Sequence, residues 1–301
     1  MVYNLSLQFS SNGEHFVYIA KEKGKEFIVL DGKEGKKYDR VYNFKFSPDS
    51  KRFAYVAQEK GRYFMVLDGK EEEHIYVDSN FEFSSDSKRF AYIASKDIDV
   101  ELGTQEKYFV VLDGKDLGKY HDYISFLAFS PDSKHFAYIA GENCEFIAGG
   151  TECLQNYVVL DGKEGKKYER IFPSIFTFSP DSKHLVYRAG EDCELGGYYN
   201  ETNMCSRYFV VLDGKEGNKY DYIENYSLIF SPDSKHFAYI GGENCKQFHE
   251  YIKCSKYFIV LNGKEGKKYD YIYPPTFSLD NKYFIYFAKL NNEIWQIVEK
   301  L

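Results

Sequence analysis

The sequence predicts an all-β fold, a β-propeller of seven blades with four antiparallel strands each, and three observations predict it. A phrase made of an apolar residue, one spacer and Phe-Ser recurs seven times: Phe9-Ser10, Phe46-Ser47, Phe83-Ser84, Phe129-Ser130, Phe178-Ser179, Phe230-Ser231 and Phe277-Ser278. The intervals of 37, 37, 46, 49, 52 and 47 residues suit a supersecondary unit that stacks on copies of itself because it cannot bury its apolar faces alone. The third observation is composition: 29 Tyr and 26 Phe in 301 residues supply the flat apolar bulk that sheets sandwiched between sheets require.

Unit four shows the elements in order. Phe126 to Phe129 is the first, innermost strand (a), and Ser130-Pro131-Asp132-Ser133-Lys134 is a tight turn, with Pro and Asp at the positions such turns favour. Phe136 to Ala140 is strand b. Tyr157 to Leu160, apolar at consecutive positions and rich in Val, is strand c and runs into an Asp161-Gly162 turn. Lys167 to Ile171 is read as the outer strand d. The last unit, Pro275 to Leu301, supplies three strands ending in Ile294 to Val298. Met1-Val2-Tyr3-Asn4 matches Arg40-Val41-Tyr42-Asn43, read as the tail of a fourth strand, so the N-terminus is expected to supply the missing outer strand and leave no open sheet edge. The whole chain, 1–301, reads as one propeller domain.

A formal charge of -7 and a pI near 5.6 argue against nucleic acid, which needs a basic stripe against its phosphates. Apolar runs such as Phe109 to Leu112 are too short to span a bilayer, and no basic head followed by an apolar stretch opens the chain, so no signal peptide is expected within it.

The phrase Phe-Ser-Pro-Asp-Ser-Lys-His-Phe-Ala-Tyr resembles the WD-repeat-like repeat of TolB-type propellers and of the N-terminal domains of prolyl-oligopeptidase-type and tricorn proteases. It is clearest in units two to six and weaker at Ser11-Asn12-Gly13-Glu14 and Leu279-Asp280-Asn281-Lys282. The resemblance implies a propeller, and in the TolB type a periplasmic scaffold for protein partners. Seven units rather than six keep the TolB type's own partners from being carried over. The class also holds gating domains of enzymes, so the motif speaks for fold rather than activity.

Antiparallel order puts the a/b and c/d turns at one end of the propeller and the b/c and d/a connections at the other. The a/b and c/d turns are nearly invariant, as in Asp-Gly-Lys-Glu-Gly-Lys-Lys at 31–37 and 161–167. The b/c segments vary: short in units one and two, long at Ser95 to Lys107, Gly141 to Asn156, Gly190 to Ser206 and Gly241 to Lys256. They read as loops forming a variable rim, the place where a rigid scaffold carries recognition.

All six cysteines fall in three of these segments, one pair in each: Cys144 with Cys153, Cys193 with Cys205, Cys245 with Cys254. Structural disulfides are expected, since the spacing within each pair lacks the close Cys-x-x-Cys of a zinc site. Disulfides imply an oxidising compartment, periplasmic, cell-surface or secreted, or else the cytosol of a hyperthermophile. The long segments of units three, four and five net -2, -3 and -4, and that of unit six +1. Acidic loops suit a basic protein patch or a cation, and equally suit plain solvation.

Phe146, Tyr198, Tyr199, Phe248 and Tyr251 lie inside the insertions, where no strand pairing is expected, and are the candidate binding residues, as protein anchors or sugar platforms. His135, His184 and His236 share a repeat position that is Arg52 and Arg89 in other units, which fits a solvated strand start better than a metal site. Asn200-Glu201-Thr202 is a glycosylation triplet. No nucleophile elbow, phosphate loop or His-Glu-x-x-His occurs, and Asp132, Asp181 and Asp233 have a sufficient reason in capping their own turn. The expectation is therefore a non-enzymatic extracytoplasmic scaffold binding a protein partner through the long b/c segments of blades three to six. No catalytic residue, cofactor or metal is assigned. A carbohydrate-binding, lectin-like propeller is the alternative, and a funnel-type hydrolase or lyase the second alternative.

Overall fold

The computed structural model describes residues 7–100, 103–147, 150–193, 205–248 and 251–301. These residues form seven antiparallel sheets and no helix, the first six built along the chain in the order a-b-c-d and the seventh ending at strand c among the described residues. Sheet two is the plainest: Arg40–Phe46, Phe53–Glu59, Arg62–Leu67 and Lys70–His74. The inner strand of sheet six is split into Tyr222–Ile223 and Ile229–Phe230. That of sheet seven is split into Tyr271–Ile272 and Thr276–Phe277, ahead of Tyr283–Leu290 and Glu293–Lys300.

Turn chemistry sets the register. Asp161 and Gly162 have φ of 49° and 77°, the paired left-handed geometry of a two-residue hairpin that Asp-Gly adopts at little cost. Strand d therefore starts at once, with Leu160 opposite Lys163, and the outer strand is shorter and earlier than the sequence suggests. Lys163–Glu164 opens it and Tyr168 closes it by a bridge to Asn156. Arg170 and Ile171 already belong to the inner strand of sheet five, opposite Gly190 and Ala189. Likewise Arg40 to Asn43 lie in an inner strand. The closing strand expected from Met1 to Asn4 lies outside the described residues.

The a/b turns close as expected. Asp132, Asp181 and Asp233 each accept the backbone N–H two residues on, at 3.1, 3.2 and 3.2 Å. The serine after the aspartate does more than turn. Ser50 and Ser87 oxygens accept N–H groups of the preceding sheet's turn, from Asn12 and Asp49, at 3.2 and 2.9 Å, and Ser234 does so for Asp181 at 2.9 Å.

The chain divides into two units, Met1–Tyr138 and Ile139–Leu301. In the first, Ala54, Val56 and Met65 of sheet two pack on Phe81, Tyr92 and Phe109 of sheet three, and Val17 and Ile28 of sheet one on Tyr55 and Val66 of sheet two. In the second, Val186, Tyr208 and Val210 of sheet five pack on Tyr239 and Phe258, and Ile240 and Ile259 of sheet six on Phe284 and Tyr286 of sheet seven. Within each unit a sheet thus buries its apolar face on the next, which is the physical reason the repeat occurs.

Candidate functional site

Among the described residues the long b/c segments of sheets three, four and six continue strands b and c as two-stranded ribbons, and in sheet five the pairing is described as far as Cys193 opposite Cys205. In sheet three pairing runs from Ala91 opposite Leu112 out to Val100 opposite Gly103, and in sheet six from Ala238 opposite Leu261 out to Phe248 opposite Tyr251. This corrects the expectation for three candidate residues. Phe146 lies in the paired strand Phe136–Ile147, and Phe248 and Tyr251 are cross-strand partners next to the tip. An extended ribbon satisfies its own backbone groups, which an irregular excursion of the same length does not. Tyr198 and Tyr199, and the triplet at Asn200, lie outside the described residues.

The three cysteine pairs are disulfides: Cys144–Cys153, Cys193–Cys205 and Cys245–Cys254. The last two join residues directly opposite in the ladder. Sequence reasoning missed their companion glycines. A Cβ at Gly141, Gly190 or Gly242 would sit 2.3, 2.4 or 2.5 Å from Sγ of Cys153, Cys205 or Cys254. None of the three has a left-handed φ, so glycine is there for space. The signal was legible, because Gly-Glu-(Asn/Asp)-Cys occurs at 141–144, 190–193 and 242–245.

Carboxylates fasten the b/c ends of neighbouring sheets to one another. Asp39 binds Lys25 at 2.9 Å and the backbone N–H of Lys60 at 2.7 Å. Asp270 binds Lys256 at 2.7 Å and the N–H of Asn291 at 2.9 Å. The lysine bond holds each carboxyl below its ordinary range.

A cavity of about 620 Å³ opens at the foot of the sheet-six ribbon, against the start and the b/c turn of sheet seven. Its polar lining is Lys253, Ser255, Asp270, Lys289 and Asn292, and its aromatic lining Tyr257 and Tyr271. Tyr271 ends a series. The first aromatic of strand c packs edge-on against the tyrosine opening the next inner strand, as in Tyr63–Tyr76, Tyr108–Tyr123, Tyr208–Tyr222 and Tyr257–Tyr271, with ring centres 5.2 to 6.1 Å apart. Tyr222 is 8% exposed but Tyr271 is 43% exposed. Sheets three, four and six, which hold Tyr76, Tyr123 and Tyr222, send out ribbons. Sheet seven turns immediately at Asn291 and Asn292, both at positive φ, so no ribbon rises beside its tyrosine. Tyr273 lies nearly perpendicular to Tyr271 with ring centres 5.0 Å apart, and Tyr271 stays partly exposed between these two neighbours.

A second cluster marks the inner strands of sheets five and six. Position 188 is arginine where the same repeat position holds Ile19, Val56, Ile93, Ile139 and Ile240. Arg188 is 1% exposed. It donates to the carbonyl of Ile223 at 2.5 Å and to Ser174 Oγ at 3.1 Å, and stacks on the Phe172 ring at 4.3 Å. Ile223 is where the sheet-six inner strand leaves its ladder. Ser227 spans the gap, its hydroxyl donating to the Glu224 carbonyl at 2.7 Å and accepting the Ile240 N–H at 3.1 Å. Tyr226 stands in the break at φ 56° and 74% exposed. Burial pushes the Glu224 carboxyl up, against the pull of Arg188.

Two of the repeat-position histidines, His184 and His236, contact the c/d turn of their own sheet. His184 Nδ1 lies 2.6 Å from Asp213, as Arg52 and Arg89 lie 3.0 and 3.1 Å from Asp68 and Asp113. His236 takes the amide of Asn262 at 2.8 Å. The side chain ties the b strand to its own Asp-Gly turn. Among the described residues no three His, Cys, Asp or Glu side chains group as metal ligands, and no helix is long and apolar enough to cross a membrane.

No family model matches the chain, and no curated protein does. Among solved structures, the β-propeller domain of the Trilobed protease from Pyrococcus furiosus is similar at 12% identity and TM-score 0.42, covering 99% of this chain and 95% of that one. The Dos1 propeller is similar at 12% and 0.44, covering 97% and 77%. A putative TolB from Agrobacterium tumefaciens is similar at 12% and 0.36, covering 89% and 93%.

Proposed function

We propose that the chain is a non-catalytic, extracytoplasmic recognition module that holds a saccharide at the foot of the sheet-six ribbon, in the cavity between sheets six and seven. The observation carrying this reading is Tyr271, an accessible ring fixed edge-on by two neighbours and surrounded by Lys253, Ser255, Asp270, Lys289 and Asn292. A sugar ring offers an apolar face and a rim of hydroxyls, which an aromatic platform among short polar groups satisfies together. The three disulfides support the oxidising setting. A glycan array tests the reading with the intact chain and Tyr271→Ala. Binding by the first and not the second is expected, whereas equal binding by both, or none by either, removes the cavity as the site.

Capture of a protein partner by the ribbons is the second reading. It is favoured by the cross-strand disulfides, which brace three ribbons against fraying and so lower the ordering cost of binding. Pull-down from an envelope fraction, with and without reductant, tests it: a partner lost on reduction supports ribbon capture, and one retained opposes it.

A further inference from the structure

Resting on the saccharide reading, we infer that the cavity selects acidic sugars, those bearing a carboxylate such as a uronic acid. Charge carries the inference. The long segments of sheets three to five are net negative, and that of sheet six, which walls the cavity, is the one with a positive balance. The wall places like charges face to face, with Lys246 directly opposite Lys253 in the ladder. Such a pair opposes sheet stability and is relieved by an anion. Lys289 enters the cavity from sheet seven, opposite Tyr271 in the register. Among the described residues neither Lys253 nor Lys289 enters an ion pair, while Lys256 is engaged by Asp270 at 2.7 Å. Asp270 is in turn held by Lys256 and the Asn291 N–H and also attracts Lys289, so three lysines of the cavity region face one carboxylate. The cavity thus gathers two ammonium groups beside a partly exposed aromatic ring, Lys253 with no ion pair among the described residues and Lys289 within electrostatic reach of Asp270. A carboxylate on the sugar meets the lysines while the ring face meets Tyr271, and Ser255 and Asn292 are left for hydroxyls.

The same residues explain why a neutral sugar is the weaker ligand. Hydrogen bonds to a charged group are roughly twice as strong as neutral ones, and the lysines sit at the protein surface, where salt screens them. The test is a calorimetric titration of the intact chain with a uronic-acid disaccharide and with its carboxyl-reduced, neutral counterpart, at low and high salt. The acid is expected to bind about tenfold tighter, equal to about 1.4 kcal/mol, with the advantage shrinking as salt rises. Lys253→Met with Lys289→Met is expected to erase the preference without lowering the melting temperature, since it also removes the like-charge pair with Lys246. Equal binding of acid and neutral sugar overturns the inference and leaves the saccharide reading standing. So does a preference that survives both lysine replacements. No binding of either sugar, together with a blank glycan array, removes the reading itself.

Discussion

Gly242→Ala isolates the fit between glycine and disulfide that shapes the ribbon feet. The added Cβ would lie 2.5 Å from Cys254 Sγ, 3.1 Å from Cys245 Sγ and 3.2 Å from Cys254 Cβ, well inside ordinary van der Waals contact. Gly242 pairs with Tyr222 on one side and Tyr257 on the other, so the backbone has little room to retreat. Overpacking of this kind costs about 1–3 kcal/mol, or a fall of roughly 2–5 °C in a chain of this size. In a Cys245→Ala/Cys254→Ala background both sulfurs are gone and the closest contact relaxes to 3.2 Å. There the same substitution is expected to cost nothing or to gain up to about 0.5–1 kcal/mol, since glycine inside a strand is the less favourable residue where a methyl group has room. The cysteine replacement itself removes a nine-residue closure, about 2.7 kcal/mol by chain entropy. Calorimetric melting of the four proteins gives the coupling directly, expected at about 1–3 kcal/mol. A Gly242→Ala cost that is the same in both backgrounds refutes the claim that the sulfur occupies the glycine's space.

Arg188→Leu restores the apolar identity of the repeat yet strands the buried Ile223 carbonyl and Ser174. Urea unfolding is expected to show a loss of about 1–3 kcal/mol, and an unchanged midpoint would mean that Arg188 does not anchor the strand break. Acid lowers stability through the a/b turns: bonds from Ser130 and Ser179 hold Asp132 and Asp181 at about 2. Their contribution is present above the ordinary aspartate value and lost as pH falls toward 2. Asp181→Asn should flatten the decline of melting temperature between pH 5 and 2, and a decline of undiminished slope contradicts this. Glu224 has the opposite sign. Its carboxyl is raised by burial, so its contribution is full below the ordinary glutamate value and fades as pH climbs through the raised one. Glu224→Gln is then expected to gain stability at pH 7 relative to pH 4, and an equal change at both values would deny the shift.

The blade was legible because its signals are local and repeated. Phe-Ser, Pro-Asp-Ser and Asp-Gly fix strand ends through turn geometry, and seven copies leave little choice of fold. The outer strand was misplaced because Lys-Lys-Tyr-Glu-Arg-Ile reads as one run, whereas the Asp-Gly turn returns the chain to the ladder at Lys163 and a strand change falls between Tyr168 and Arg170. The cysteine pairing was readable from one pair per segment, since only a ribbon brings such neighbours face to face. The cavity was not. Tyr271, Lys253 and Lys289 come from three strands of two sheets, and Tyr271 differs from Tyr222 only in what rises beside it. Arg188 stands out in the sequence as the odd residue of an apolar column, but its partners, the Ile223 carbonyl and Ser174, come from other strands and carry no local signal.

Hydrogen–deuterium exchange with and without the uronic-acid disaccharide tests the recognition site most directly. Slowed exchange confined to residues 252–257, 270–272 and 289–292 is the expected result. Slowed exchange only at the a/b and c/d turns, or none at a saturating sugar concentration, would contradict recognition at the foot of the sixth ribbon.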